Sequence, residues 1–184
     1  MTATRATASA AAVVAFWRAA GAERWFKQDP AFDESIRQRF LDLHEAAAAG
    51  SLRPWEDSAE GALALLLLLD QFPRNMFRGE ARAFSTDALA RAIAAGGLIK
   101  GFDGQAEAMR GFFYLPFMHS EELADQQRAI ALYRAAGDDA GVNWAKRHAD
   151  IIRRFGRFPH RNAALGRQTT PEEQAFLDDG GFAG

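Results

Sequence analysis

The chain contains no cysteine and very few β-branched residues. The lack of cysteine excludes a disulfide scaffold, a thiolate nucleophile and a cysteine-ligated zinc or iron–sulfur site. Three valines, six isoleucines and six threonines stand against 39 alanines. Because alanine is the best helix former and β-branched residues favour strands, this composition excludes an all-β fold and predicts an all-α one.

The chain also lacks a large excess of either charge and any long hydrophobic run. The 184 residues carry 22 basic and 24 acidic side chains, a net charge of −2, which gives no general attraction to nucleic acid or an anionic membrane. The longest apolar run, 62–69, is far shorter than the roughly 18 residues that a membrane span requires. We therefore expect a cytoplasmic protein that does not bind membranes, and nucleic acid is an unlikely partner.

Helix signals follow one another with short connections, which predicts one helical domain over residues 1–184. The alanine-rich start runs directly into Phe16–Trp17, so we expect a frayed tail at 1–9 rather than a signal peptide. Asp29–Pro30 is a typical helix start, and Thr170 with Glu173 forms a full capping box. The leucine-rich stretch after residue 60 has apolar residues on every side, which predicts a buried, central helix.

Further boundaries complete a prediction of seven to nine helices. We expect one helix to end at Gly96–Gly97, another to span about 104–114, and a third to open at Ser120. Asp138 or Asp139 opens the helix that Gly156 ends. Short connections favour antiparallel helix pairs, arranged as a bundle or as a helical-repeat array, although the sequence contains no clean 34-residue repeat.

The first segment that can carry chemistry is 70–79, directly after the leucine-rich helix. Asp70 faces the negative end of that helix, so a buried Asp70 needs a cation, with Arg74 and Arg78 as the nearest candidates. A buried Asp–Arg pair that only fixes the helix exit is the alternative to a functional role.

The second segment, 112–120, contains aromatic residues that we assign to the core. His119 differs because it directly precedes Ser120, the expected first residue of a helix, and two glutamates. It is either a base that faces a ligand or a histidine bonded to its own loop.

The third segment, 153–162, is strongly basic and repeats a pattern of the first. Phe-Pro-Arg-Asn at 72–75 is matched by Phe-Pro-His-Arg-Asn at 158–162, and we expect each to lie just beyond a helix. Proline stiffens a turn, so two such turns would hold Arg74, Asn75, Arg161 and Asn162 as ligand-binding residues for a phosphate or carboxylate. His160, together with Asp70 and His119, is then a candidate for proton transfer.

Other constellations are missing. The sequence has no zinc-protease, nucleophile-elbow, phosphate-loop, dinucleotide or EF-hand motif, and its four histidines are scattered. We therefore expect no cofactor and no metal, and we assign His148 to helix packing.

Three strings resemble a bacterial family known as domain of unknown function 924. They are Leu-Leu-Asp-Gln-Phe-Pro-Arg-Asn-Met-Phe-Arg-Gly at 68–79, Phe-Tyr-Leu-Pro-Phe-Met-His-Ser-Glu at 113–121 and Arg-Phe-Gly-Arg-Phe-Pro-His-Arg-Asn at 154–162. The resemblance extends over about 13–177 and implies a helical fold similar to tetratricopeptide repeats, without an established activity. Ala15 stands where the family often has an acidic residue.

Three functions follow as hypotheses. The first is binding of an anionic small molecule or peptide in a polar pocket of arginine, histidine and asparagine. The second is a hydrolase or transferase that uses Asp70, His119 and His160. The third is a protein-interaction scaffold. The sequence does not specify the reaction, the ligand or the oligomeric state.

Overall fold

The computed structural model describes residues 9–182, whose regular elements are all helices with no strand among them, so the predicted all-α fold is confirmed. Apart from Ser9, which caps the first helix, the expected tail at 1–9 lies outside the described residues. The α-helices are α1 Ala10–Ala20, α2 Ala22–Trp25, α3 Pro30–Ala48, α4 Ala59–Leu66, α5 Phe72–Met76, α6 Asp87–Ile99, α7 Leu115–Met118, α8 Leu123–Ala135, α9 Asp139–Phe155 and α10 Pro171–Asp178. Shorter 3₁₀ turns are Arg53–Asp57, Ala81–Phe84, Asp103–Gln105, Glu107–Phe113 and Pro159–Arg161.

The central element is a continuous helix made of α4, a π-helical turn at Leu67–Gln71, and α5. Counted as one, it gives nine helices in the described chain, within the seven to nine expected. Every residue from 61 to 73 is buried, and the element packs against α1, α3 and α6. The leucine-rich stretch is therefore the buried central helix that its sequence predicts.

The π-helical turn explains why a proline is tolerated within this element. Pro73 has no N–H with which to bond the carbonyl of Leu69, and the Thr86 hydroxyl donates to that carbonyl instead, at 2.6 Å. The neighbouring carbonyl of Leu68 lies 2.8 Å from Nδ1 of His44. The carbonyls of this turn are thus satisfied by side chains from outside it, and Phe72–Pro73 continues the helix rather than forming the expected turn beyond it.

Two predicted helix starts are confirmed in detail. The Asp29 carboxylate accepts the N–H groups of Ala31 and Phe32, at 3.1 Å each, and Pro30 is the first residue of α3. At α10, Thr170 and Glu173 exchange the reciprocal hydrogen bonds of a capping box.

Three other boundaries were predicted wrongly. Helix α6 continues through Gly96–Gly97 to Ile99. A Cβ at position 97 would lie 2.7 Å from the Phe113 ring, so Gly97 permits close packing and does not end the helix. The expected helix at 104–114 consists of 3₁₀ turns, interrupted where Glu107 adopts φ +48°. Ser120 lies in a turn before α8, which begins at Leu123.

The core of the described residues is divided unequally. Most buried apolar side chains form one cluster around α4 and α5, while Ile151, Ile152 and Phe158 form a second, smaller one near the C-terminus. The smaller cluster is covered by three partly buried rings, those of Phe155, Phe176 and Phe182. Within residues 9–182, no helix is long and apolar enough to cross a membrane. The superhelix like that of tetratricopeptide repeats remains a prediction.

Candidate functional site

Asp70 lies on the π-helical turn, and only 1% of its surface is exposed. One carboxylate oxygen is 2.8 Å from Nδ1 of His119 and 3.3 Å from Nη1 of Arg74, and the other accepts from the amide of Gln71. Burial alone would raise the pKa of Asp70, but His119, Arg74 and Gln71 outweigh burial and hold it well below its usual range. Asp70 is therefore an ionised carboxylate inside the protein.

His119 follows α7 and brings the second predicted segment to the first. Burial, followed by the charge of Arg74, lowers the pKa of His119 below its ordinary value although Asp70 opposes this, so the ring is neutral at pH 7. An ionised Asp70 can only accept a hydrogen bond, so Nδ1 of His119 carries the proton and Nε2 carries the lone pair. The side chain of His119 is 14% exposed, and within residues 9–182 its Nε2 is neither hydrogen-bonded nor buried. A basic nitrogen thus reaches the surface while a buried carboxylate fixes its ring.

The two predicted arginines meet at Asp87. Arg74 donates to both oxygens of that carboxylate, at 2.8 and 2.9 Å, and Nη1 of Arg161 lies 3.6 Å from one of them. Both guanidinium groups also lie over the Phe84 ring, at 5.5 and 4.6 Å. Arg161 donates to the backbone carbonyl of His119 at 2.9 Å, which joins the third segment to the second.

Arg161 is the less well compensated of the two. It is 6% exposed, and within the described chain its buried Nε has no hydrogen-bond partner. Burial, together with the positive charge of Arg74, lowers the pKa of Arg161 to about 10. The protein therefore holds a cation here in surroundings that disfavour its charge.

The two predicted asparagines do not join this group. The Asn75 amide donates to Asp33 on α3 at 2.7 Å, beside the ion pair of Arg78 with the same carboxylate. The Asn162 amide instead donates to Glu173 at 3.2 Å, in the capping box of α10.

His160 lies beside the site but makes no contact with Asp70 among the described residues. Its ring packs between those of Phe158 and Phe182, at 5.6 and 5.2 Å between centroids, and its Nδ1 is buried without a partner. Burial, followed by the charge of Arg161, lowers the pKa of His160 to about 3.

Sequence reasoning missed two members of the site. Asp87 was not among the predicted site residues, yet it is the common partner of Arg74 and Arg161. Two arginines expected at one place were a signal that a carboxylate should be sought. His148 was assigned to packing, and it does pack, but its ring centroid lies 6.5 Å from that of His119. Burial is the main reason that the pKa of His148 is lowered to about 4.

We call Asp70, Arg74, Asp87, His119, His148, His160 and Arg161 the polar cluster. It joins carboxylates, guanidinium groups and neutral imidazoles under a partly open edge at His119. In the chain from 9 to 182, no group of three or more histidine and acidic side chains has an arrangement that holds a metal ion. The side chains of the cluster are of types that can bind an anion and transfer protons.

Comparison with known proteins agrees with the sequence resemblance. No curated protein matches the chain. A solved structure of a protein of unknown function, ATU0120 from Agrobacterium tumefaciens, is 50% identical, with a TM-score of 0.89 over 92% of this chain and 97% of that one. The family model described as bacterial protein of unknown function (DUF924) matches residues 13–181. This match covers most of the chain, which therefore belongs to the DUF924 family.

Proposed function

We propose that the polar cluster binds a small anionic molecule through a carboxylate or phosphate group. The observation that carries this proposal is that the buried charge of Arg161 is only partly compensated by its neighbours. Its nearest carboxylate, Asp87, is 3.6 Å away and already accepts two shorter bonds from Arg74. A buried cation is costly unless it is paired and hydrogen-bonded, so a bound anion would stabilise Arg161 more than its present surroundings do.

The neighbouring histidines support the same proposal. His148 and His160 are neutral because of burial and, in addition, because Arg74 and Arg161 place positive charge near them. An anion at this position would favour their protonated forms, and each protonated ring would in turn donate to the anion. Binding should therefore tighten as the pH falls.

Calorimetric titration with inorganic phosphate and with succinate, at pH 7.5 and pH 5.5, tests this function. We expect binding of at least one probe, with higher affinity at pH 5.5 than at pH 7.5, and a loss of binding in Arg161→Met. Arg161→Lys should bind in between, because a lysine keeps the charge but not the planar fork. Arg78→Met is the matched control, since the 38% exposed side chain of Arg78 pairs with Asp33 away from the cluster.

Two results would contradict the proposal. One is equal binding by the Arg161→Met variant and the wild type, and the other is an affinity that does not depend on pH. If Arg161→Met unfolds, Arg161→Lys still decides, because a purely structural Arg161 predicts that a folded lysine variant binds as the wild type does.

Acid–base catalysis is a second candidate, favoured by the pair formed by Asp70 and His119. In this candidate Asp70 is a positioning residue that holds the ring and its tautomer, as a carboxylate does for the histidine base of a serine hydrolase. Nε2 of His119 would take a proton from a water or hydroxyl nucleophile and return it to the leaving group. His160 has no such orienting carboxylate in the described chain.

A screen with p-nitrophenyl acetate and p-nitrophenyl phosphate tests the second candidate. We expect turnover that rises through a pKa below 6.5 to a plateau, and a loss of about 100-fold or more in His119→Gln. Arg78→Met, whose side chain pairs with Asp33 away from the cluster, is the control and should retain the activity. In Asp70→Asn the inflection of the pH profile should shift. Absence of turnover, or full activity in His119→Gln, would refute catalysis without affecting the binding proposal.

A further inference from the structure

The hairpin of α8 and α9 carries an open groove separate from the polar cluster. These two helices make the most extensive helix contact in the described chain. Gly141, at the start of α9, allows the close approach, because a Cβ there would collide with the Tyr133 ring. The groove has a volume of about 420 Å³, and its lining residues are Gln127, Ile130, Arg134, Lys146, Asp150 and Arg153.

The charge of this groove is unbalanced. It contains three cations and one carboxylate, and Asp150 is already paired with Arg153. Arg134 on α8 and Lys146 on α9 are both exposed, and neither has a carboxylate partner within residues 9–182. Two unpaired cations therefore come from opposite sides of one groove in a chain whose net charge is −2.

The groove also has an apolar component. Ile130 is half-buried, and it packs against the main hydrophobic cluster. Its outer side faces the groove between the charged side chains. A ligand that matches both properties carries carboxylates on either side of an apolar side chain.

We propose that this groove binds an acidic peptide segment of a partner protein. Its openness fits a chain that passes through it better than a small molecule, which a site normally encloses over most of its surface. No aromatic side chain lines it, so it lacks the stacking platform that single-stranded nucleic acid uses. Opposite charge would steer the segment to the groove, and contact with Ile130 would fix it there.

The groove and the polar cluster share no residue, so this inference does not depend on the proposed function. The probe is a fluorescein-labelled peptide, Glu-Glu-Leu-Glu-Glu, titrated with the full chain and followed by fluorescence anisotropy at low and at physiological salt. Gln-Gln-Leu-Gln-Gln is the uncharged peptide, and a five-nucleotide single strand is the competing polyanion.

Charge reversal in Arg134→Glu/Lys146→Glu should weaken binding of the acidic peptide at least tenfold. The matched control, Lys27→Glu/Arg53→Glu, reverses two exposed cations elsewhere and should bind as the wild type does. Ile130→Ser should weaken binding without changing its salt dependence, because it removes the apolar contact alone.

Four results would overturn the proposal: no binding of the acidic peptide, equal binding of the uncharged one, tighter binding of the oligonucleotide, or equal losses in the two double variants. Circular dichroism should show unchanged helix content in both double variants, because all four substituted side chains are exposed. If a double variant loses helix, the comparison of the acidic and the uncharged peptide on the wild-type protein decides the test.

Discussion

His148 should make the stability of the protein depend strongly on pH between 7.5 and 4.5. Its side chain is 5% exposed, its Nδ1 lies 2.9 Å from the Trp144 carbonyl, and the rings of Phe158 and Phe182 pack against it at 5.7 and 4.5 Å. Burial is the main cause, and nearby positive charges a further one, of a pKa of His148 that is lowered from 6.5 to about 4. Between these two values the unfolded chain binds a proton that the folded chain does not bind.

The sign and size of the effect follow from linkage. When the unfolded state binds more protons, the free energy of unfolding falls as the pH falls. Below pH 6.5 the loss grows by about 1.4 kcal/mol per pH unit, until His148 protonates in the folded state near pH 4. The contribution of this one residue should therefore drop by about 2–3 kcal/mol between pH 7.5 and pH 4.5.

The variant His148→Asn isolates this contribution, because asparagine can keep the hydrogen bond to Trp144 but does not titrate. Urea unfolding at pH 7.5, 6.5, 5.5 and 4.5 gives the stability difference between wild type and variant. That difference should change by about 2–3 kcal/mol across the series, in the direction that favours the variant in acid. A difference that stays constant, or a His148 ring that titrates near 6.5 by NMR, would refute the reasoning.

A second pair of variants tests the cause of the lowered pKa. Phe182→Ala should expose the His148 ring to water and raise its pKa towards 6.5. Phe176→Ala is the matched control, because Phe176 belongs to the same apolar cluster but contacts Phe155 instead of a histidine. If both variants shift the His148 pKa equally, the lowered pKa does not depend on the specific contact with Phe182, and general loosening of the C-terminal region explains the shift.

Burial should also decide the cost of removing an aspartate. Asp70→Asn should lower the free energy of unfolding by about 3 kcal/mol, because it leaves the buried partners of Asp70 without its negative charge. Asp150→Asn breaks a pair of exposed side chains and should cost less than about 0.5 kcal/mol by the same urea titration. Equal costs would contradict the claim that burial makes the Asp70 pair important. Gly141→Ala should destabilise by about 1–3 kcal/mol because its methyl group meets the Tyr133 ring, and Gly96→Ala, which meets open space in a helix, should stabilise by about 0.5–1 kcal/mol in thermal unfolding. If Gly141→Ala were neutral, α8 and α9 would not be held as closely as described.

Local signals gave correct predictions where the deciding contacts are local. Asp29 and Thr170 bond to N–H groups within three residues, so their neighbours in the sequence contain the whole interaction. The leucine-rich helix was predictable because burial on all sides requires apolar residues on all sides. Gly97 was read wrongly because a ring more than ten residues away, that of Phe113, decides its role.

The polar cluster shows the corresponding limit for function. Asp70 and His119 were both candidates, but their bond joins residues 49 positions apart, and only the packing of α7 against its neighbours brings them together. The repeat of Phe-Pro-Arg-Asn suggested that Arg74 and Arg161 lie close together, and both do lie beside the Asp87 carboxylate. It did not extend to the asparagines, because each is used by a nearby acidic side chain, Asp33 for Asn75 and Glu173 for Asn162.

The π-helical turn is the feature that no residue pattern indicated, and it connects the core to the cluster. A π turn changes the register of the backbone by one residue, and no residue type selects for it strongly. Here the carbonyls of Leu68, Leu69 and Asp70 are bonded by side chains from three separate places. The orientation of Asp70 is therefore set by tertiary contacts around the central helix, so a change far from His119 in sequence can still alter the carboxylate that orients it.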